Sequence, residues 1–404
     1  MKTDQPEAQG PLKGLRIVDI STVVAGPFAA GLLGDYGAEI VKVEMPGVGD
    51  SLRALAPHKD GVPLWWKVTN RNKKGVTLDL RLPEGRDLFA KLVADADVLV
   101  ENFRPGTLDG WGITRAWLQG LNPRLTILRV TGFGQDGPYA GRPGFARIFE
   151  AMSGFTQICG EEDGRPLHLG YPISDAVAGL FGALGILAAL HDLARNPERR
   201  GQEIDCSATE AMMRTLEFLA IEYDQLGAVR TRSGNRSQYA APGNVYRTAD
   251  DKWASIAAST QSIFVRLCAA LDLKHLLEDP RFALNPARVK NYLELDVIVG
   301  AAIGKLTLAE LRETFTRHEV GFSPIYDIAD VFSDPQFAAR QAIVSVPDSE
   351  LGSVRMQGVV PRFSETPGAV RHAGPAMGQH NEEVYGGLGL SAAEIAALRA
   401  RKVI

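Results

Sequence analysis

The sequence predicts an α/β protein: a large domain built on a doubly wound, mainly parallel sheet, and a smaller α+β domain. Three observations predict it. Between Leu15 and Gly134, short β-rich runs alternate with segments of helical periodicity. Over 225–247 the composition turns polar and rich in Gly, Arg and Ser, which marks a crossing between domains. Between the two lies LGYPISDAVAGLFGALGILAAL, from Leu169 to Leu190, a stretch apolar enough to be a central core helix.

Taken in order, LRIVDI at 15–20 is a strand, STVVAGPFAAGLLGDYG a small-residue helix, and AEIVKVE at 38–44 a second strand, which together make a βαβ unit. GVTLDL at 75–80, a helix over 84–95, DVLVENF at 97–103 and LTILRVTGFG at 125–134 continue the alternation. In such a sheet ligands bind near the carboxyl ends of the strands, where Asn102, Phe103 and Gly132 to Gln135 lie. A dinucleotide-binding domain would carry GxGxxG after the first strand, whereas this turn reads STVVAGPF.

The central stretch has fifteen residues, 176–190, without a charge or a hydrogen-bonding side chain, introduced by Ser174 and Asp175, both good cap types. Gly179, Gly182 and Gly185 leave a bare ridge for a close neighbour. Asp175 would sit at the mouth of a dry interior, held ionised by the helix N-terminus. From these residues alone a plain helix cap is the simpler role for it.

Beyond this helix, NPERRGQEIDCSATEAMM reads as a basic turn, a strand-like piece and a helix. DKWASIAAS opens the smaller domain, helices follow, and SAAEIAALRARKVI closes the chain as a helix. The expected boundaries are 1–200 and 330–404 for the large domain and 225–325 for the small one, with linkers at 200–225 and 325–345.

The formal net charge of -4 argues against a nucleic-acid partner. Three cysteines, Cys159, Cys206 and Cys268, suit neither a disulfide framework nor a zinc site, and seven histidines include no HxxxH pair. No metal is expected. The polar amino terminus and the shortness of every uncharged run predict a cytoplasmic protein with no membrane partner.

LRIVDISTVVAGPFAAGLLGDYGAEIVKVEMPGVGD, NRNKKGVTLDL, ADVLVENFRPG, GFGQDGPYAGRPGF, GYPISDAVAGLFGALGILAAL and GFSPIYDIADVFSDPQF run in one order along the chain. Together they resemble the class III CoA-transferases, the CaiB/BaiF family to which formyl-CoA transferase belongs. The resemblance implies a Rossmann-like large domain made from both ends of the chain, and a homodimer whose subunits interlock like links. It implies that Asp175 is a nucleophile carrying CoA between an acyl-CoA and a small carboxylic acid through an anhydride and an aspartyl-CoA thioester. CoA enters as substrate, with no tightly bound cofactor.

By position, the resemblance carries the CoA contacts to Val24, Ala25, Leu78, Arg81, Asn102, Phe103, Arg104, Phe145 and Ala146. Arg71, Lys73 and Lys74 offer further charge for the phosphates. Met45 and Gly110 stand where relatives often have Arg, and Ala146 where they often have Asp. Ser237 to Ala240 corresponds to the glycine run that covers the site in formyl-CoA transferase, and contains no glycine. A racemase of the same superfamily needs a His beside the Asp and finds Phe145. A CoA-binding protein without activity would leave Asp175 unexplained. Arg142, Arg147, Arg165 and His168 surround the segment before Asp175, and Arg147 beside Ala146 is expected to favour a dicarboxylic acceptor.

Overall fold

The structure is a computed structural model that describes residues 10–404. The amino-terminal stretch read as polar, and the first nine residues of the expected large domain, lie outside the described residues. Contacts divide the chain into two compact units: one takes residues up to Phe155, His168–Ile221 and Gln336–Ile404, the other Thr156–Leu167 and Glu222–Pro335.

The main sheet of the first unit has six strands, β1 (Arg16–Asp19), β2 (Glu39–Glu44), β3 (Lys73–Thr77), β4 (Val98–Glu101), β5 (Thr126–Thr131) and β6 (Glu203–Ser207). All pair in parallel, in the order β3-β2-β1-β4-β5-β6. This is the doubly wound order in which the direction of winding reverses between β1 and β4. The stretch at 200–225, expected as a linker, supplies the edge strand β6 together with Ala208–Arg214 and Glu217–Leu226 as helices.

Each face of the sheet is covered by its own core. On one face Val18, Val43, Val76 and Leu99 pack with Leu88 and Phe89 of α2 (Pro83–Ala94) and with Tyr385 and Ile395 from the C-terminal segment. On the other, Ile17, Val98, Val100 and Leu128 pack with Ala29 and Leu33 of α1 (Ala25–Asp35) and with Ala178 and Ile186 of the long central helix, Ile173–Arg195.

That helix was expected to be buried all round and is not. Leu180, Leu184 and Leu187 stand 54%, 60% and 41% exposed in the single chain, along one stripe. The opposite face is the close-packed one. A Cβ on Gly179 would lie 2.9 Å from the Ala25 carbonyl oxygen, and one on Gly182 would lie 2.9 Å from Leu128 Cδ2. Among the described residues this is the one helix with the length and hydropathy of a membrane span, and its glycine face lies in the domain core.

The second unit contains an antiparallel sheet of Phe322–Pro324, Trp253–Ala257 and Gly243–Arg247, in that order. Helices Gln261–Ala270, Tyr292–Ile303 and Leu308–Arg317 contribute Phe264, Leu267, Val299 and Phe315 to its core. Asn285 donates to the Tyr239 carbonyl and accepts from the Ala241 N–H, and buried Arg288 donates to the Ala241 carbonyl, so the segment that corresponds to the glycine run of formyl-CoA transferase is pinned at its end.

Candidate active site

The carboxyl ends of β1 and β4 form the switch point, and the turn after β1 is fixed there by side chains. Asn102 accepts from the Thr22 N–H at 2.7 Å and donates to the Thr22 carbonyl at 2.7 Å. Val23 takes φ +65, a costly conformation for a β-branched residue, and its N–H donates to Asp50 Oδ1 at 2.9 Å. Asp50 is in turn paired with Lys42 at 3.2 Å.

Beneath this turn lie Asp19, Lys42, Lys73 and Asp50, two buried acids and two buried bases. Lys73 Nζ meets Asp19 Oδ2 at 2.9 Å, the Pro27 carbonyl at 2.7 Å and Asn70 Oδ1 at 3.0 Å. Burial alone would raise the Asp19 carboxyl, but Lys42 and Lys73 outweigh it and hold it below its usual range. Burial brings Lys73 down to about 8. The network opposes the strain at Val23, so α1 begins at Ala25 in a set position. Its cap residue Val24 makes no side-chain cap, leaving the first turn open to an anion.

Leu78 and Phe103 are brought together in a crevice of about 90 Å³ at this end of the sheet, with Ile20, Thr22, Met45 and Trp111. Phe103 is set there by Glu101, whose Oε2 accepts its N–H at 2.7 Å. Arg81 reaches Met45 Sδ at 3.4 Å while paired with Asp79, and Arg104 is exposed with no ion pair among the described residues. The run before and into β3 behaves otherwise. Lys73 is sealed in the buried network, Lys74 bridges Glu39 and Glu383, and Arg71 pairs with Asp35. Arg71 precedes β3 and Lys73 and Lys74 open it, and all three are committed to carboxylates of the protein itself.

At Asp175 the structure departs from the expected cap. The helix α4 (Ile173–Arg195) is preceded by Pro172 as its cap residue, and Asp175 occupies the third helical position. Its neighbour Ser174 is buried and donates to the Ala146 carbonyl at 2.9 Å, which ties α4 to α3 (Ala146–Met152). Burial first, and then the charge of Glu150, raise the Asp175 carboxyl to about 6. The helix end therefore does not keep it as acidic as a free aspartate, though it is mainly ionised at neutral pH. The phenol of Tyr171 is pushed up by burial and by Asp175.

Ala146 is buried under Ser174, while Phe145 is 77% exposed and Arg147 is exposed with no ion pair among the described residues. Arg142 lies over the Tyr139 ring at 4.5 Å. Sequence reasoning missed Glu150, which is wholly buried one turn after Ala146 and 2.9 Å from His168 Nδ1. A single acid in FARIFEAM, four residues after a position that packs inward, was the available signal. Among the described residues no group of three His, Cys, Asp or Glu is placed to hold a metal.

The sequence profile of CoA-transferase family III matches residues 12–381. The chain belongs to that family. Family III relatives include a succinyl-CoA–D-citramalate CoA-transferase from Chloroflexus aurantiacus, 44% identical over 396 residues that cover 98% of each chain. The beta subunit of a succinyl-CoA–L-malate CoA-transferase from the same organism is 40% identical, again over 98% of each chain. A crystal structure of a CaiB/BaiF family protein from Brucella suis superposes with a TM-score of 0.84 at 33% identity, covering 94% of this chain and 100% of that one. This family III protein is thus an enzyme, a CoA-transferase working on acyl-CoA and small carboxylic acids.

Proposed function

We propose that Asp175 carries the transfer, with succinyl-CoA as donor and a small dicarboxylic acid as acceptor. The observation that supports this most is a half-buried aspartate in the first turn of the core helix, raised to about 6 by burial and by Glu150 and therefore mainly ionised yet less hydrated than a free carboxylate near neutral pH. A carboxylate oxygen of Asp175 attacks the thioester carbon, forming a C–O bond and releasing CoA thiolate. The thiolate attacks the aspartyl carbonyl of the anhydride, and the donor acid leaves as a carboxylate. The acceptor carboxylate then attacks the aspartyl thioester, CoA thiolate leaves again, and its attack on the acceptor acyl carbon restores Asp175. No net proton moves, and the steps require no group beyond CoA itself.

In this reading CoA lies over the switch point. Leu78 and Phe103 line the crevice, Val24 and Ala25 stand at the start of α1, Asn102 sets the turn, and Arg81 and Arg104 meet the phosphates. Phe145 and Ala146 flank the pantetheine arm, and Arg147 takes the second carboxylate of the acceptor. The dicarboxylic acceptor is supported by the relatives that act on citramalate and malate. An interlocked homodimer belongs to the same proposal, supported by the exposed stripe Leu180, Leu184 and Leu187; its mark is a dimer that survives dilution in sedimentation. The reading also keeps a cytoplasmic enzyme.

The test is a screen of succinyl-CoA with dicarboxylic and monocarboxylic acids of matched length. The dicarboxylic acids are expected to lead, and Arg147→Met to shrink the lead by about tenfold. Equal use of both classes by the wild type would reject the dicarboxylic acceptor.

A further inference from the structure

The end of β4, where Phe103 enters the crevice, is held by charge. The strand stops at Glu101, so the Phe103 N–H lies beyond its last paired residue and needs an acceptor of its own. The buried Glu101 carboxylate folds back to supply it, with Oε2 at 2.7 Å. Asn102, between the two, is bound to both backbone groups of Thr22 and so ties the same turn to the end of β1.

The other oxygen of Glu101 is braced from the neighbouring strand. Oε1 meets Arg129 Nη1 at 3.2 Å, and Glu101 and Arg129 are register partners across β4 and β5. Arg129 Nε pairs with Glu203, the first residue of β6, and the second oxygen of Glu203 meets Arg115 Nη1 at 3.1 Å. Four charges of alternating sign thus cross three strands, from exposed Arg115 to the buried acid behind Phe103. Burial still raises the Glu101 carboxyl to about 7 against the pull of Arg129. Apolar side chains at 101 and 129 would fill the same places without that cost, so packing alone does not account for the ladder.

The ladder ends on the crevice. The Phe103 ring stands edge-on to Trp111, with 5.2 Å between centroids and 70° between planes. Both rings line the space of about 90 Å³, with Ile20, Val43, Leu78 and Leu80. In a space that small, a turn of the backbone at residue 103 either fills the crevice with the ring or parts the ring from Trp111.

We infer that Glu101 is a positioning residue for acyl-CoA: its bond to the Phe103 N–H, braced by Arg129, keeps the Phe103 ring against Trp111 and so sets the shape of the crevice that CoA occupies. The inference rests on the reading that places CoA over this crevice. Glu101 touches no substrate and acts through Phe103. Its loss therefore shows in the binding of CoA and not in the chemistry at Asp175.

The experiment measures the dissociation constant of CoA by calorimetry on the full-length enzyme, and kcat at saturating succinyl-CoA and acceptor. The variants are Phe103→Ala, Glu101→Leu, Glu101→Gln and the double variant of Phe103→Ala with Glu101→Leu. Glu101→Leu removes the acceptor but leaves Arg129 its partner Glu203, so the fold is expected to survive; Glu101→Met takes its place if it does not. Glu101→Leu should weaken CoA by about tenfold with kcat within about twofold of the wild type. Glu101→Gln, which keeps an oxygen for the Phe103 N–H, should recover most of that affinity. Phe103→Ala should weaken CoA at least as much, and adding Glu101→Leu to it should weaken CoA no further. Unchanged affinity in Glu101→Leu would overturn the inference, as would an equal loss in Glu101→Gln or losses that simply add in the double variant. CoA affinity untouched by Phe103→Ala would instead reject the crevice as the place of CoA, and the inference with it.

Discussion

At the scale of single residues the account turns on how poorly Asp175 is hydrated. A carboxyl raised to about 6 in the fold binds protons that the unfolded chain, with its value of 3.8, has already released. Its contribution to stability is present below pH 4 and is lost as pH rises through 6. Asp175→Asn should therefore melt higher than the wild type at pH 8, by about 1–3 kcal/mol, with the gap narrowing at pH 5. A gap of the same size at both values would mean that the group is not perturbed. Activity should follow the opposite course, with kcat/KM climbing to a plateau through a midpoint near 6. The residue that makes the site reactive is thus one that makes the fold less stable. Asp175 was legible through its motif, Glu150 was not, because its burial is a property of packing that one acid in a short run does not announce.

At the scale of elements the glycine ridge does the positioning. Gly179 faces backbone, with the Ala25 carbonyl oxygen 2.9 Å from any added Cβ, while Gly185 faces a side-chain methyl, Ile204 Cγ2 at 3.0 Å, on the edge strand β6, which needs to give by only a few tenths of an ångström. Gly179→Ala should cost about 1–3 kcal/mol in urea denaturation and weaken CoA binding by moving the start of α1. Gly185→Ala should be near neutral, its packing cost offset by the ~1 kcal/mol of helix propensity gained. Equal losses at both positions would contradict this assignment. The ridge could be read from the spacing, and so could every strand of the parallel sheet. The helix start could not, since Ser174 and Asp175 look like caps and Pro172 takes that place instead. NRNKK misled for a related reason: sequence shows the charge of Lys73 and Lys74 but not that β3 begins at Lys73, which turns them towards buried and edge partners.

At the scale of the molecule, both ends of the chain build one unit. The C-terminal segment covers the open edge of β3: His380 accepts from the Gly75 N–H, Asn381 from the Thr77 N–H, and the Tyr385 hydroxyl donates to the Thr77 carbonyl. An exposed strand edge is thereby closed by side chains. The family resemblance implied this return of the chain, and the strand-like piece read in NPERRGQEIDCSATEAMM is β6 at 203–207, so the stretch bounded as a linker belongs to the sheet. The central claim, that the transferred CoA passes through Asp175, has an atomic signature. An acceptor acid labelled with oxygen-18 in its carboxylates attacks the aspartyl thioester, and the anhydride breaks at the acceptor carbon, which leaves one labelled oxygen on the enzyme. In a single turnover, mass spectrometry of the peptide that contains Asp175 should show one oxygen-18, gained only when acyl-CoA and acceptor are both present. If CoA is transferred while that peptide stays unlabelled and the label appears in the released donor acid, the acids have exchanged CoA directly and Asp175 is not the carrier.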